Sequence, residues 1–341
     1  MSPKLTDLLK GSIDRTSVAS SVNSHERSYD FGSRHGQDPR AANYREFIEN
    51  NYNLVTDLYE YGWGESFHFA PRVPGESFHA SLARHQHFIA LALGLRPGMR
   101  VADLGCGVGA PLREIARFSG SQIVGVNISA YQLERAPKLT DEAGLSHLAE
   151  YLETDFTRTG EPEGSFDAVY AIEATCHAPD RADVFGEAFR LLKTGGCFAS
   201  YEWCVTDQFD SLNSHQVQVK NDIELGTAIQ DLITTHDADV AMGKAGFGLL
   251  ETRDLADQAG PAIPWYEPLV GSGVSLTSLR SSRVGRAVTH QSLRVLEALR
   301  VVPPGTPGMS RVLNIGAAAL AEAGRLGIFT PMYFVLGRKP V

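Results

Sequence analysis

Between residues 99 and 205, short apolar runs alternate with amphipathic stretches, and this rhythm constrains the fold more than any other feature of the chain. "MRVADLG" reads as a buried strand and "APLREIARFSG" as a helix closed by Gly120. "QIVGVNI" is a second strand. "SAYQLERAPKLTDEAGL" is helical with Ser129 as N-cap, and Pro137 is expected to end or kink it. "AEYLETDF" and "FDAVYAIEA" add two strands, "RADVFGEAFRLLKTGG" a helix and "CFASYEWCV" a fifth strand. Alternation at this spacing predicts a Rossmann-like, doubly wound α/β fold. Its sheet is parallel, covered on both faces, and binds ligands beyond the carboxyl ends of its strands.

Around this block the texture differs. Residues 1–40 are rich in Ser, Arg, Asp and Gly and read as a mobile arm. Residues 41–95 read as a helical, aromatic cap, since Tyr44, Phe47, Ile48 and Tyr52 recur at helical steps. The α/β domain is expected over 96–260. A Pro-rich joint, "GPAIPWYEP", then opens a subdomain over 261–341 with two helices and a closing strand, "FTPMYFVLGRKP". A formal net charge of -9 without any Lys/Arg-rich run argues against nucleic acid as a partner. Cys106, Cys176, Cys197 and Cys204 form no C-x-x-C pair, and no His cluster has zinc spacing. No metal is therefore expected, and a reduced cytoplasmic chain is the plain reading. The opening has no apolar signal region and no run spans a membrane, so contact with a membrane or lipid droplet would be peripheral. Homo-oligomerisation is left open.

The strongest local signal is "VADLGCGVGA", residues 101–110. A strand delivers Asp103, and Gly105, Gly107 and Gly109, with Cys106 among them, turn the chain into a helix where backbone must pass close to a ligand. Spacing alone admits both NAD and S-adenosylmethionine, because Ala110 stands where the dinucleotide pattern allows its third small residue. Two details favour S-adenosylmethionine. Asp103 can hold an ammonium and would repel a pyrophosphate. The next strand ends also offer Asn127, Asp155 and Phe156 for ribose hydroxyls and an adenine face. Gln132 and Ile172 complete the expected cofactor set.

The segment "DLYEYGWGESFHFAPR" (57–72) places Tyr59, Tyr61, Trp63, Phe67 and Phe69 within sixteen residues. Together with "LGCGVGAPLREIARFSG", "YAIEATCHAPDR", "YEWCVTD", "IELG", "IPWYEPL" and "IFTPMYF", it resembles the sterol 24-C-methyltransferases over roughly residues 45–340. The resemblance implies a class I methyltransferase core with a C-terminal α+β sterol-binding subdomain. It further implies methyl transfer from S-adenosyl-L-methionine to a sterol side-chain double bond at carbon 24. The alkene attacks the methyl, a cation forms at carbon 25, and a hydride shift with proton loss follows.

An alkene needs no activating base. It needs proximity, a dry pocket and relief for positive charge, which aromatic faces provide. Tyr59, Trp63, Phe67 and Phe69, with Trp203 and Trp265, are the expected substrate-binding residues, and Tyr61 the ring nearest the chemistry. Any one of these rings could equally serve packing. Glu60, His68, Glu173, His177 and Glu224 are the candidates to take the final proton or meet the sterol hydroxyl, and Glu202 is weighed beside them. Two departures from the family pattern stand out: Ala130 replaces an acid after the second strand, and Glu267 replaces a tyrosine in "IPWYEPL". A C-methyltransferase of a non-sterol terpenoid alkene and a non-catalytic lipid-binding protein of the same fold are the competing readings.

Overall fold

The computed structural model describes Thr56, Glu60 and residues 63–257, 263–271 and 282–341. The alternating units become five parallel strands: β1 (Arg100–Leu104), β2 (Gln122–Asn127), β3 (Ala149–Glu153), β4 (Phe166–Ile172) and β5 (Leu192–Val205). Beyond them come β6 (Ile233–Thr234), β7 (Gly248–Asp254) and β8 (Phe329–Arg338). The sheet order is β3-β2-β1-β4-β5-β8-β7, with β6 beside β5. β8 runs antiparallel to both of its neighbours, while every other pairing in the sheet is parallel as expected. Its apolar run is buried from Phe329 to Gly337, as a strand enclosed on both edges and both faces requires.

The helices are α1 (Phe78–Ala92), α2 (Ala110–Ser119), α3 (Ala130–Glu142), α4 (Arg181–Leu191), α5 (Ser214–Thr227), α6 (Thr235–Lys244), α7 (Glu267–Val270), α8 (Arg283–Ala298) and α9 (Thr306–Leu326). Ser129 caps α3 by accepting a hydrogen bond from the Gln132 N–H, and Gly120 closes α2 in the left-handed conformation. Pro137 does not end α3, which continues to Glu142. Proline removes a single N–H from the ladder, while Gln132, Ala136 and Thr140 keep one face of the helix buried. Phe166, Phe185 and Phe198 lie fully buried in the sheet core, each contributing on the order of 2 kcal/mol.

Contacts divide the chain into two compact units that interleave in sequence. One holds residues 68–207, 232–265 and 329–341. The other holds the described residues up to Phe67, with 208–231 and 266–328. The contiguous blocks expected from composition, with boundaries at 95/96 and 260/261, do not coincide with this division. The reason is that β8 returns the end of the chain to the sheet, while α5 packs on α9. In that second pair Gly226 faces Gly316, and a Cβ on either would overlap the backbone of the other. Among the described residues no helix is long and apolar enough to cross a membrane.

Candidate active site

The glycine loop leaves β1 at its carboxyl end and is pinned to β2. The N–H groups of Gly105 and Cys106 both donate to the Val126 carbonyl, at 2.9 and 3.1 Å. Gly105 has φ +93°, and a Cβ there would overlap Ala174. Gly109 has φ +79°, and a Cβ would overlap the Tyr151 hydroxyl. These two positions need glycine for space and for conformation alike. From the far end, Arg113 of α2 donates to the Val108 carbonyl at 2.7 Å and stiffens the turn.

Asp103 lies just before this loop, opposite Gly125 on β2 and Tyr170 on β4. Its carboxylate is 2% exposed, and Oδ2 has no hydrogen-bond partner among the described residues. Burial pushes its pKa up to about 7, an effect the nearby Tyr170 hydroxyl partly offsets. Such a group calls for a cation. Asn127 and Gln132 are indeed adjacent, but they bond to each other and to the loop. Asn127 Nδ2 donates to Gln132 Oε1 at 2.7 Å and to the Gly107 carbonyl at 3.2 Å, and its Oδ1 accepts from the Ile128 N–H. Asp155 Oδ1 accepts from the N–H and hydroxyl of Thr157. Phe156 lies beside Gly105, and Ile172 ends β4, both half-buried. Cys106 is buried against Gly125, and burial raises its thiol well above the usual range.

Directly after Ile172, Glu173 takes φ +52°, a left-handed conformation that a non-glycine residue rarely adopts. Glu173 Oε1 accepts from the Phe69 N–H and Oε2 from the Trp203 indole, each at 2.8 Å. Burial pushes its pKa well up, against the opposing effect of those two donors. One short segment thus meets two features, since Ala174 lies against the glycine loop and Glu173 holds two aromatic residues.

Those two rings belong to a buried group of four. Phe69 stands 6.0 Å from Trp203 and 4.9 Å from Trp265, while Phe329 stands 5.3 Å from Trp203 and 5.7 Å from Trp265, mostly edge to face. Phe69, Trp203 and Trp265 were expected from sequence. Phe329 was not singled out, because at the head of β8 it reads as an ordinary strand residue. Trp63 and Phe67 fall in the other unit, and Tyr59 and Tyr61 lie outside the described residues, as does the helix expected around 44–52.

The acid–base candidates separate. Both ring nitrogens of His68 are engaged: Nδ1 donates to the Phe69 carbonyl at 2.7 Å, and Nε2 accepts from Gln86 at 2.7 Å. Burial lowers its pKa to about 4, so it is neutral and a weak base. Glu202 accepts from Ser200 and Thr175 and pairs with Arg181 at 3.8 Å, which makes it part of a buried network. His177 is buried at the end of the turn Thr175–His177. Glu60 and Glu224 are buried in the other unit, where Glu224 pairs with Lys220 one helical turn away.

A sterol methyltransferase C-terminal profile matches residues 276–341, and a methyltransferase-domain profile matches residues 102–200. The chain is 46% identical to the cycloartenol-C-24-methyltransferase of Arabidopsis thaliana, over 98% of this chain and 99% of that protein. The chain belongs to the sterol 24-C-methyltransferase family. It is also 44% identical to a sterol 24-C-methyltransferase of Aspergillus fumigatus, over 88% of this chain and 81% of that one. Among solved structures, a geranyl diphosphate C-methyltransferase of Streptomyces coelicolor A3(2), bound to S-adenosyl-L-homocysteine, aligns with TM-score 0.62 at 18% identity. The alignment covers 88% of this chain and 99% of that one, and bears on the fold alone. Glu267 stands buried at the start of α7.

Proposed function

We propose that the chain transfers a methyl group from S-adenosylmethionine to carbon 24 of a sterol side chain. The observation that carries this reading is the segment Glu173–Ala174, which joins a cluster of four buried aromatic rings to the glycine loop.

The site suits S-adenosylmethionine. Asp103 offers a buried carboxylate oxygen to the ligand ammonium, and Gly105 and Gly109 let the loop turn tightly against Ala174 and Tyr151, where any Cβ would overlap them. Asp155, Phe156 and Ile172 are assigned to the nucleoside, while Asn127 and Gln132 hold the loop in place. When bound, S-adenosylmethionine supplies an electrophilic methyl group on a sulfonium centre. The protein's own contribution is mainly electrostatic and spatial. Phe69, Trp203, Trp265 and Phe329 exclude water and offer ring faces to a substrate that becomes positively charged. A desolvated ring face in contact with such a cation contributes about 2 kcal/mol.

Glu173 is assigned as the positioning residue that fixes Phe69 and Trp203. It also has the strongest claim to the final proton, because each oxygen keeps a second lone pair and burial raises its proton affinity. His68 has neither property and orients the chain at Phe69. The choice of a sterol over another terpenoid alkene follows the named activities of the relatives. Mass spectrometry of products formed from methyl-labelled S-adenosylmethionine tests it. One labelled methyl should appear at carbon 24 of a side-chain-unsaturated sterol and none on linear prenyl alcohols. Labelling of the prenyl substrate alone would overturn the assignment.

A further inference from the structure

The helix α8 carries a face that the methyltransferase reading leaves unused. Val284, Val288, Val295 and Leu299 are 69, 61, 59 and 67% exposed. At 3.6 residues per turn, positions 284, 288, 295 and 299 fall within an arc of about 60°. Leu293, buried, marks the opposite side of the helix. Single exposed hydrophobic residues need no explanation, but four on one helix face do, even with Gln291 and Ser292 between Val288 and Val295.

Charge identifies what suits that stripe. Between residues 283 and 300 the chain has four arginines and one acid, Glu297, although it carries 40 acids against 31 bases as a whole. Glu297 is turned inward, its Oε1 accepting from the Gly305 N–H at 2.6 Å. Arg283 and Arg294 are exposed and lie on one flank of the stripe, and Arg300 is exposed just past its end. Arg286, on the inner side, donates to the Leu269 carbonyl. A helix of low net hydrophobicity with an apolar stripe and a basic flank is built to lie in the plane of a bilayer interface. A second copy of this chain is a poorer occupant. A two-fold contact across the helix would bring Arg283 and Arg294 of one copy toward the same arginines of the other.

We infer that the outer face of α8 docks the protein peripherally on an anionic phospholipid surface, with the valines and Leu299 in the headgroup–acyl boundary and the arginines on the phosphates. This goes beyond the methyltransferase assignment and stands on the helix alone. The two readings meet only in that a sterol substrate is itself a membrane lipid.

Co-sedimentation of the full chain with vesicles tests the docking. Phosphatidylcholine vesicles with phosphatidylserine should bind the protein, those of phosphatidylcholine alone much less, and added salt should weaken the first. Val288→Glu/Val295→Glu should lose at least tenfold in partitioning, and Arg283→Ala and Arg294→Ala about fivefold each. Each variant should keep the wild-type melting temperature and affinity for S-adenosylmethionine, which shows that it has folded. Wild-type protein that ignores both vesicle types overturns the inference, as do variants that bind as well as wild type. So does a wild-type dimer that Val288→Glu/Val295→Glu dissociates, since a second copy would then cover the face. Turnover of detergent-dispersed sterol, measured alongside, separates the two readings: turnover without vesicle binding removes the docking and leaves the chemistry standing.

Discussion

Replacing Asp103 probes how the cofactor is held. The carboxyl is buried and its pKa is lifted from 3.8 to about 7, roughly three units. At about 1.4 kcal/mol per unit, the ligand-free protein carries about 4 kcal/mol of uncompensated charge once Asp103 ionises. The sign follows from the direction of the shift. For a carboxyl raised on folding, the associated stability is fully present below about pH 4 and is lost as pH rises to about 7. A ligand ammonium recovers it, because the ligand binds the ionised form. Below pH 7 a proton must leave first, so affinity for S-adenosylmethionine should fall about tenfold between roughly pH 8 and pH 6. Asp103→Asn should bind weakly at either pH, with no slope. Without ligand it should be more stable to unfolding than wild type at about pH 8, by at most about 4 kcal/mol. Calorimetric titration in buffers of differing ionisation enthalpy reads affinity and proton release together. A flat wild-type profile, or an Asn variant with unchanged affinity, would refute the role given to this carboxylate.

Three further substitutions test the geometry. Glu173→Gln sets an amide N–H against the Phe69 N–H or the Trp203 indole, an unmade contact of about 1–3 kcal/mol. We expect kcat to fall at least tenfold with cofactor affinity nearly unchanged, and a loss confined to KM would argue against this positioning role. Gly105→Ala adds a Cβ that overlaps Ala174 at a positive φ, so cofactor affinity and melting temperature should both drop; wild-type calorimetry would show the loop to be less tight than described. Gly226→Ala should destabilise the α5–α9 contact by about 1–3 kcal/mol in denaturant unfolding, since its Cβ meets the Gly316 backbone. An unchanged unfolding midpoint there would mean that the helices can part without cost.

The sequence carried the parallel half of the fold because every unit there had both a period and a punctuation mark. Ser129 and Gly120 bounded their helices as expected, and the glycines of the loop fell at a strand-to-helix joint. The antiparallel end was harder to read. β7 is an edge strand with no buried position, so Gly248–Asp254 shows no apolar alternation. Pro137 does not end its helix because proline costs one bond but does not unfold a well-packed turn. In the site, residue types were legible and pairings were not. Phe69, Trp203 and Trp265 announced themselves as aromatics, yet the anchor that holds the first two, Glu173, lies 104 positions from Phe69, and no local pattern encodes that. The φ of Glu173 is likewise set by its surroundings and not by its own preference. Lys220 and Glu224 could have been paired from their i, i+4 spacing, which would have marked Glu224 as already partnered.

The most direct test of the central claim is the affinity of a charge mimic. A sterol whose side chain bears a protonated amine at the cationic carbon should bind more tightly than its uncharged carbon isostere, by about thirtyfold for one well-placed ring. Trp203→Leu and Phe329→Leu should erase most of that preference and leave the isostere's own affinity within a few-fold of wild type. If amine and isostere bind equally, or if the preference survives loss of both rings, the aromatic cluster does not stabilise positive charge.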